Sequence, residues 1–214
     1  MSPVDLFAHL LVLLSFAAPQ GSAGAPRRPG DLFTEIYQRG IVKQRTMKSI
    51  RATFTETTES TLLVKPIVAR GTVIAAPPLM VKMSYTEPEM KTVTIDGRSL
   101  VVAWPGRAER QQIDITQTKQ RIDKYFTNAS VDELRKLFEI TAEPDPVLRR
   151  ADRVTMTSKR RQLKAGLQEL ELWIDRERDV LVQMRLSFPD GDKKTIVLDD
   201  IAVNVPLSDD TFRP

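Results

Sequence analysis

The sequence predicts an α+β fold: a curved antiparallel sheet, an incomplete β-barrel of about ten or eleven short strands, with helices covering its open side. Three observations lead there. From Ile50 onward most segments alternate apolar and polar residues with a period of two, the signature of strands with one buried face. Turn residues such as Asp96-Gly97 and Asp190-Gly191-Asp192 separate those segments, so the strands join as a meander. Two further stretches carry apolar residues at helical spacing, and a fully closed, side-chain-filled barrel has no place to bury them.

The elements follow in order. Asp31 caps a helix whose apolar positions are Leu32, Phe33, Ile36, Tyr37 and Ile41. Gly40 ends or bends it, and a second short helical piece runs through Met47. Ile50, Ala52 and Phe54 then alternate with Arg51, Thr53 and Thr55 as the first strand. Thr61 to Ala75 reads as β-rich, with Pro66 marking an edge or bulge. Ala76-Pro77-Pro78 breaks the pattern. Val81-Met83-Tyr85 and Val93-Ile95 are the next strands, and Asp96-Gly97 forms a tight turn into Leu100–Trp104. Of that last strand, Leu100, Val102 and Trp104 are placed inward, with Val101 and Ala103 on the other face. Gln111 to Thr116 gives another short strand. Ser130 and Glu133 form a capping-box pattern ahead of a helix carrying Val131, Leu134, Leu137 and Phe138 on one face, ended by Glu143–Pro146. Strands at Val154–Ser158 and Leu167–Ile174 flank a Lys159-Arg160-Arg161 tip, and Val180–Phe188 and Thr195–Val205 complete the sheet.

Composition excludes several functions. There is no Cys among the 214 residues, and the single His is His9. Leu6–Ala18 is an apolar stretch of signal-peptide length leading to small residues, with cleavage expected after Ala23 or Ala25. Residues 1–25 are therefore read as a signal peptide and 26–214 as a single domain. Without the leader the chain has neither His nor Cys. That removes Ser-His-Asp and Cys-His nucleophile systems and the usual zinc sites. Removing residues 1–25 takes away one acid, Asp5, and leaves 32 basic against 27 acidic residues. This mild excess suits anionic lipid surfaces or acidic partners, while the interleaved acids argue against nucleic acid. The remaining carboxylates, such as Asp190 and Asp192, read as turn residues. No enzymatic activity, cofactor or metal is expected.

The Pro77–Pro105 segment, PPLMVKMSYTEPEMKTVTIDGRSLVVAWP, carries a resemblance. Its order of prolines, alternating strand, Tyr85, Pro88, Asp96-Gly97 and apolar strand ending in Pro105 is similar to the periplasmic lipoprotein carrier family, LolA. The Ser49–Thr57 segment and the Pro206–Pro214 ending resemble that family's patterns as well. The family's Arg falls on Pro77 here, its Phe on Val81 and its Trp on Met83. The resemblance implies a half-barrel with a helical lid, whose cavity holds lipoprotein acyl chains and makes or breaks no bond. It implies an inner-membrane transporter as donor and an outer-membrane protein as acceptor, a periplasmic location and a monomer. The side chains assigned to such a lining are Phe54, Val81, Met83, Tyr85, Val93, Leu100, Val102, Trp104, Leu134, Leu137, Phe138 and Met184. Plain core packing is the other reading of the same residues. Thioethers at Met80, Met83, Met90 and Met184 suit an adaptable pocket. The loss of the family's Arg at Pro77 favours an alternative: a lipid-sensing or partner-binding regulatory module on the same half-barrel.

Overall fold

The computed structural model describes residues 31–122 and 129–213. The leader, residues 1–25, lies outside the described residues.

Helix α1, Leu32–Thr46, precedes the sheet. The first six strands are β1 Ile50–Glu59, β2 Ile67–Ala76, β3 Met80–Glu87, β4 Lys91–Asp96, β5 Ser99–Trp104 and β6 Glu109–Asp114. Helices α2, Thr116–Ile122, and α3, Val131–Leu137, follow. Strands β7 Phe138–Pro144 and β8 Ala151–Ser158 come next, then a one-turn helix α4, Arg161–Lys164. Strands β9 Glu169–Asp175, β10 Leu181–Ser187 and β11 Lys193–Val203 complete the fold.

All eleven strands form one antiparallel sheet in the order β6-β5-β4-β3-β2-β1-β11-β10-β9-β8-β7. Two meanders are thus joined where β1 pairs with β11, from Ile50 opposite Val203 to Glu59 opposite Lys193. The sheet curves but does not close, leaving β6 and β7 as its edges. The segment carrying α2 and α3 links those two edges.

The local chemistry explains most of the boundaries. The Asp31 carboxylate accepts hydrogen bonds from the Thr34 amide and hydroxyl, starting α1. Phe33, Ile36 and Tyr37 then fall on one buried face. The helix runs through Gly40 unbroken, contrary to the sequence expectation, because Ile41 beyond it still packs on the core. Helix α3 has the predicted capping box, with Ser130 Oγ accepting from the Glu133 amide and Glu133 accepting from the Ser130 amide. It ends at Leu137, well before Glu143. Phe138 therefore opens β7, where β-branched Ile140 and Thr141 pair with Met156 and Thr155.

Other boundaries depart from the sequence reading as well. Residues 60–66 form a loop, and β2 starts only at Ile67. Helix α2 begins at Thr116, where the Asp114 carboxylate accepts from the Thr116 amide at 2.7 Å. The basic tip after β8 is a helical turn. In the β4–β5 hairpin the two central residues are Gly97 and Arg98. Only Gly97 has positive φ, 86°, as a type II′ turn requires at its first position. Asp96 sits outside the turn, and its carboxylate accepts from the Arg98 and Ser99 amides. Within β2, Gly71 is required by close packing: a Cβ there would lie 2.0 Å from the Ser84 carbonyl oxygen of β3.

Candidate functional site

The site is one face of the sheet and the helices over it. Alternation along β1 sends Ile50, Ala52, Phe54 and Glu56 inward, and along β3 it sends Val81, Met83 and Tyr85. Strands β4 and β5 add Val93, Ile95, Leu100 and Val102. Strands β8 to β11 contribute Val154, Met156, Leu170, Leu172, Met184, Leu186 and Ile196. Phe33, Ile36 and Tyr37 of α1 and Leu134 of α3 meet this face, so sheet and helices share one apolar cluster. The helices are tied to each other: Arg135 of α3 pairs with Asp31 and lies over the Phe33 ring. Tyr37 Oη donates to the Ala129 carbonyl oxygen just before α3. Burial works to raise the Asp31 pKa. Its hydrogen bonds to Arg135 and Thr34 outweigh that and hold the carboxyl below its ordinary value.

The twelve residues assigned to a lining from sequence come together in this cluster. Phe54, Val81, Met83, Tyr85, Val93, Leu100, Val102, Leu134, Phe138 and Met184 are buried within it, and Trp104 and Leu137 lie partly buried at its margin. The inward choice of Leu100 and Val102 over Val101 agrees with the cluster. Val101 is nonetheless buried from the opposite face, beside Thr94. The C-terminal segment reaches that face, where Lys82 Nζ donates to the Arg213 carbonyl oxygen at 3.4 Å. Met80 and Met90 are not in the cluster. Met80 points away from it by alternation, and Met90 is 64% exposed.

The inner face is not wholly apolar. Glu56 and Lys194 lie on it, with side chains only 7% and 5% exposed, and form an ion pair at 2.7 Å. Tyr85 Oη donates to the other Glu56 oxygen at 3.1 Å, so both carboxylate oxygens are engaged. The Tyr85 ring packs edge-on to Phe54, centroids 4.9 Å apart. Lys91 Nζ stands 4.5 Å from its centroid on a face of the ring. Burial, reinforced by the adjacent Glu56 charge, pushes the Tyr85 phenol far above its ordinary pKa. Burial draws the Lys91 ammonium below its usual value, with Glu56 opposing. This group arranges charge without offering a nucleophile and its base. Sequence reading passed over Glu56 and Lys194, although alternation from Phe54 and from Ile196 places both inward.

Among the described residues no group of three or more His, Cys, Asp or Glu side chains is placed to hold a metal ion. None of their helices is long and apolar enough to cross a membrane. A groove of about 360 Å³ lies between α1 and the β9–β10 turn, lined by Gln38, Arg39, Val42, Lys43, Thr46 and Asp179. It lies outside the apolar cluster.

Comparison with known proteins identifies the family. Residues 45–214 match the model for the outer membrane lipoprotein carrier protein LolA, and the chain belongs to that family. No curated protein sequence matches it. Among solved structures, lipoprotein LppX of Mycobacterium tuberculosis shares the fold at 13% identity and a TM-score of 0.53, covering 82% of this chain and 96% of that one. An uncharacterized conserved protein from Thermus thermophilus is similar at 13% identity and a TM-score of 0.52, covering 84% and 91%. The Pseudomonas aeruginosa MucA/MucB complex matches at 14% identity and a TM-score of 0.51, covering 85% of this chain and 60% of that one.

Proposed function

We propose that this LolA-family chain is a periplasmic lipid carrier. After export and removal of residues 1–25, the domain 26–214 binds acyl chains of lipoproteins or other lipids between the inner sheet face and the helices. It ferries them from an inner-membrane transporter to an outer-membrane acceptor, with no bond made or broken. The observation that carries this reading is the single apolar cluster spanning β1–β5, β8–β11 and the inner faces of α1 and α3. Acyl chains need adaptable apolar area, and each buried methylene contributes about 0.8 kcal/mol. Lifting α1 and α3 as a pair, through their Asp31–Arg135 link, would open the face.

The test is to recover the exported chain under native conditions and extract it for mass spectrometry. The expected result is stoichiometric acyl lipid, reduced strongly by Met83→Glu or Leu134→Glu in variants that stay folded. A folded chain that retains no acyl lipid, and releases no lipoprotein from inner-membrane vesicles, would overturn the reading.

Two observations favour a second reading, that of a regulatory module that binds a protein partner. Pro77 stands where the family carries Arg, and MucB, which shares the fold, is found in complex with MucA. Pull-down from an envelope extract separates the two. A stable protein complex indifferent to added lipid supports the module.

A further inference from the structure

Large apolar side chains are not spread evenly over the surface. Ten are exposed among the described residues, and six of them gather at one end of the sheet: Leu62, Leu63, Val64, Ile67, Val68 and Met90. Leu62 is 91% exposed and Val64 is fully so. They sit in the β1–β2 loop, at the start of β2 and in the neighbouring β3–β4 turn. The loop is a built feature. Ser60 closes it, its carbonyl oxygen accepting from the Leu63 amide at 3.1 Å and its hydroxyl from the Leu62 amide at 3.2 Å. That turn presents Leu62, Leu63 and Val64 together, with exposed Lys65 beside them.

The pairing register puts a basic segment at the same end. Glu59 lies opposite Lys193, Ser187 opposite both Lys193 and Glu169, and Thr157 opposite Glu169. The β8–β9 connection is therefore about four strand spacings, roughly 19 Å, along the rim from the apolar loop. It carries Lys159, Arg160, Arg161 and Lys164, none of which forms an ion pair among the described residues. Lys159 is stapled to α3 through its amide to the Leu137 carbonyl oxygen and its ammonium to the Arg135 carbonyl oxygen, which adds Lys136 to the same patch. Acids at this rim are fewer. Glu87 and Glu89 are paired with Arg70 and Arg107. Glu59 beside the apolar loop, Glu169 at the start of β9, and Asp190 and Asp192 between the two features weaken the field there.

We propose that this end of the sheet docks on an anionic phospholipid bilayer. Leu62, Leu63 and Val64 enter the acyl boundary, while Lys65 and the Lys159–Lys164 turn meet lipid phosphates. A few apolar side chains alone hold a protein to a membrane only marginally, and so does a small basic patch alone. The two together give a reversible but oriented attachment, suited to a protein that must leave again. Docking does not require lipid in the interior, so it stands or falls separately from the carrier reading.

The experiment uses Leu62→Trp in the full chain with vesicles of phosphatidylglycerol and phosphatidylcholine in equal parts, with and without brominated acyl chains. The introduced indole shifts to the blue and is quenched by the bromines. Both signals fall sharply on pure phosphatidylcholine and in the Lys159→Glu/Arg161→Glu variant. In cosedimentation, Leu62→Ser/Val64→Ser weakens binding about tenfold, and its circular-dichroism melt matches the parent because both side chains are exposed. Unshifted, unquenched emission from the introduced indole overturns the proposal, even if the protein sediments through another surface. So does equal binding by the double-serine variant. Capture of a protein partner through this loop, with no vesicle affinity, assigns the surface to that partner instead.

Discussion

The two ends of the sheet are built from the same strands yet finished in opposite ways. At one end three hairpins lean on aspartates. The Asp96 carboxylate accepts from the amides of Arg98 and Ser99, Asp145 from those of Val147 and Leu148, and Asp175 from those of Glu177 and Arg178. Arg39 of α1 pairs there with Asp152 and Asp179, and Arg176 also reaches Asp152. At the other end the β1–β2 loop exposes Leu62 and Val64, and the cations of the β8–β9 turn face solvent. One end is pinned by carboxylate-capped turns, although Val147 and Leu148 are exposed there too, while the other carries the apolar β1–β2 loop without such caps. The buried charges beneath the open end, Glu56 and Lys194, are satisfied by each other and by Tyr85.

That buried pair offers the largest expected effect. Lys194→Met leaves Glu56 charged in an apolar setting and is expected to cost about 3–5 kcal/mol, read as a lower urea midpoint. Glu56→Leu/Lys194→Met removes both charges and should recover most of the loss. A double variant as unstable as the single one would mean that the pair itself, and not the stranded charge, sets the stability at this end.

The pinned end should respond next. Asp145 accepts from the Trp173 indole at 2.8 Å as well as from two backbone amides. Asp145→Ala leaves the buried Trp173 indole without its acceptor and uncaps two turn amides, and is expected to cost about 1–3 kcal/mol in urea unfolding. A loss below about 0.5 kcal/mol, the range of ordinary surface changes, would refute the claim that this end is secured by its aspartates.

Much of this architecture was legible in the sequence because alternation is a local signal. It placed the inward faces of β1, β3 and β5 and gathered twelve residues, ten of them buried in one cluster and Trp104 and Leu137 packed at its margin. Pattern failed where composition and geometry part. Thr61–Val64 has strand-like side chains, but only the turn closed by Ser60 shows it to be a loop. Phe138 fits the apolar stripe of α3, yet pairing with β8 claims it for β7. Contacts between distant residues were out of reach altogether. Asp145 meets Trp173 across 28 positions, and Glu56 meets Lys194 across 138. Glu56 itself was within reach, since the alternation that gave Phe54 continues to it.

Acid should set the two ends further apart. For Asp96, Asp145 and Asp175, burial pushes the pKa up, but hydrogen bonds to turn amides and neighbouring side chains win and hold each carboxyl below its ordinary value. A depressed folded pKa gives stability that is fully present above the unfolded value, about 3.9, and lost as pH falls through the folded one. The two tryptophans report the ends separately, Trp173 beside Asp145 and Trp104 beside Glu89. In Trp104→Phe, Trp173 emission should change as pH drops below about 4, at a lower denaturant concentration than at neutral pH. Acid resistance of that signal to well below about pH 3 would detach the turn carboxylates from stability.

The smallest effect belongs to the exposed loop, and its smallness is the point. Val64→Ser replaces a side chain that is fully exposed and packs on nothing, so folding stability should stay within about 0.5 kcal/mol of the parent. Ser60→Ala, by contrast, removes the hydroxyl that accepts from Leu62 and should loosen the loop, seen as faster amide exchange over residues 61–65 with the rest of the sheet unchanged. If Val64→Ser instead lowered the melting temperature, the loop would be packing on the fold. Its apolar residues would then belong to the core of the sheet, and the open end would differ from the pinned end only in the chemistry of its turns.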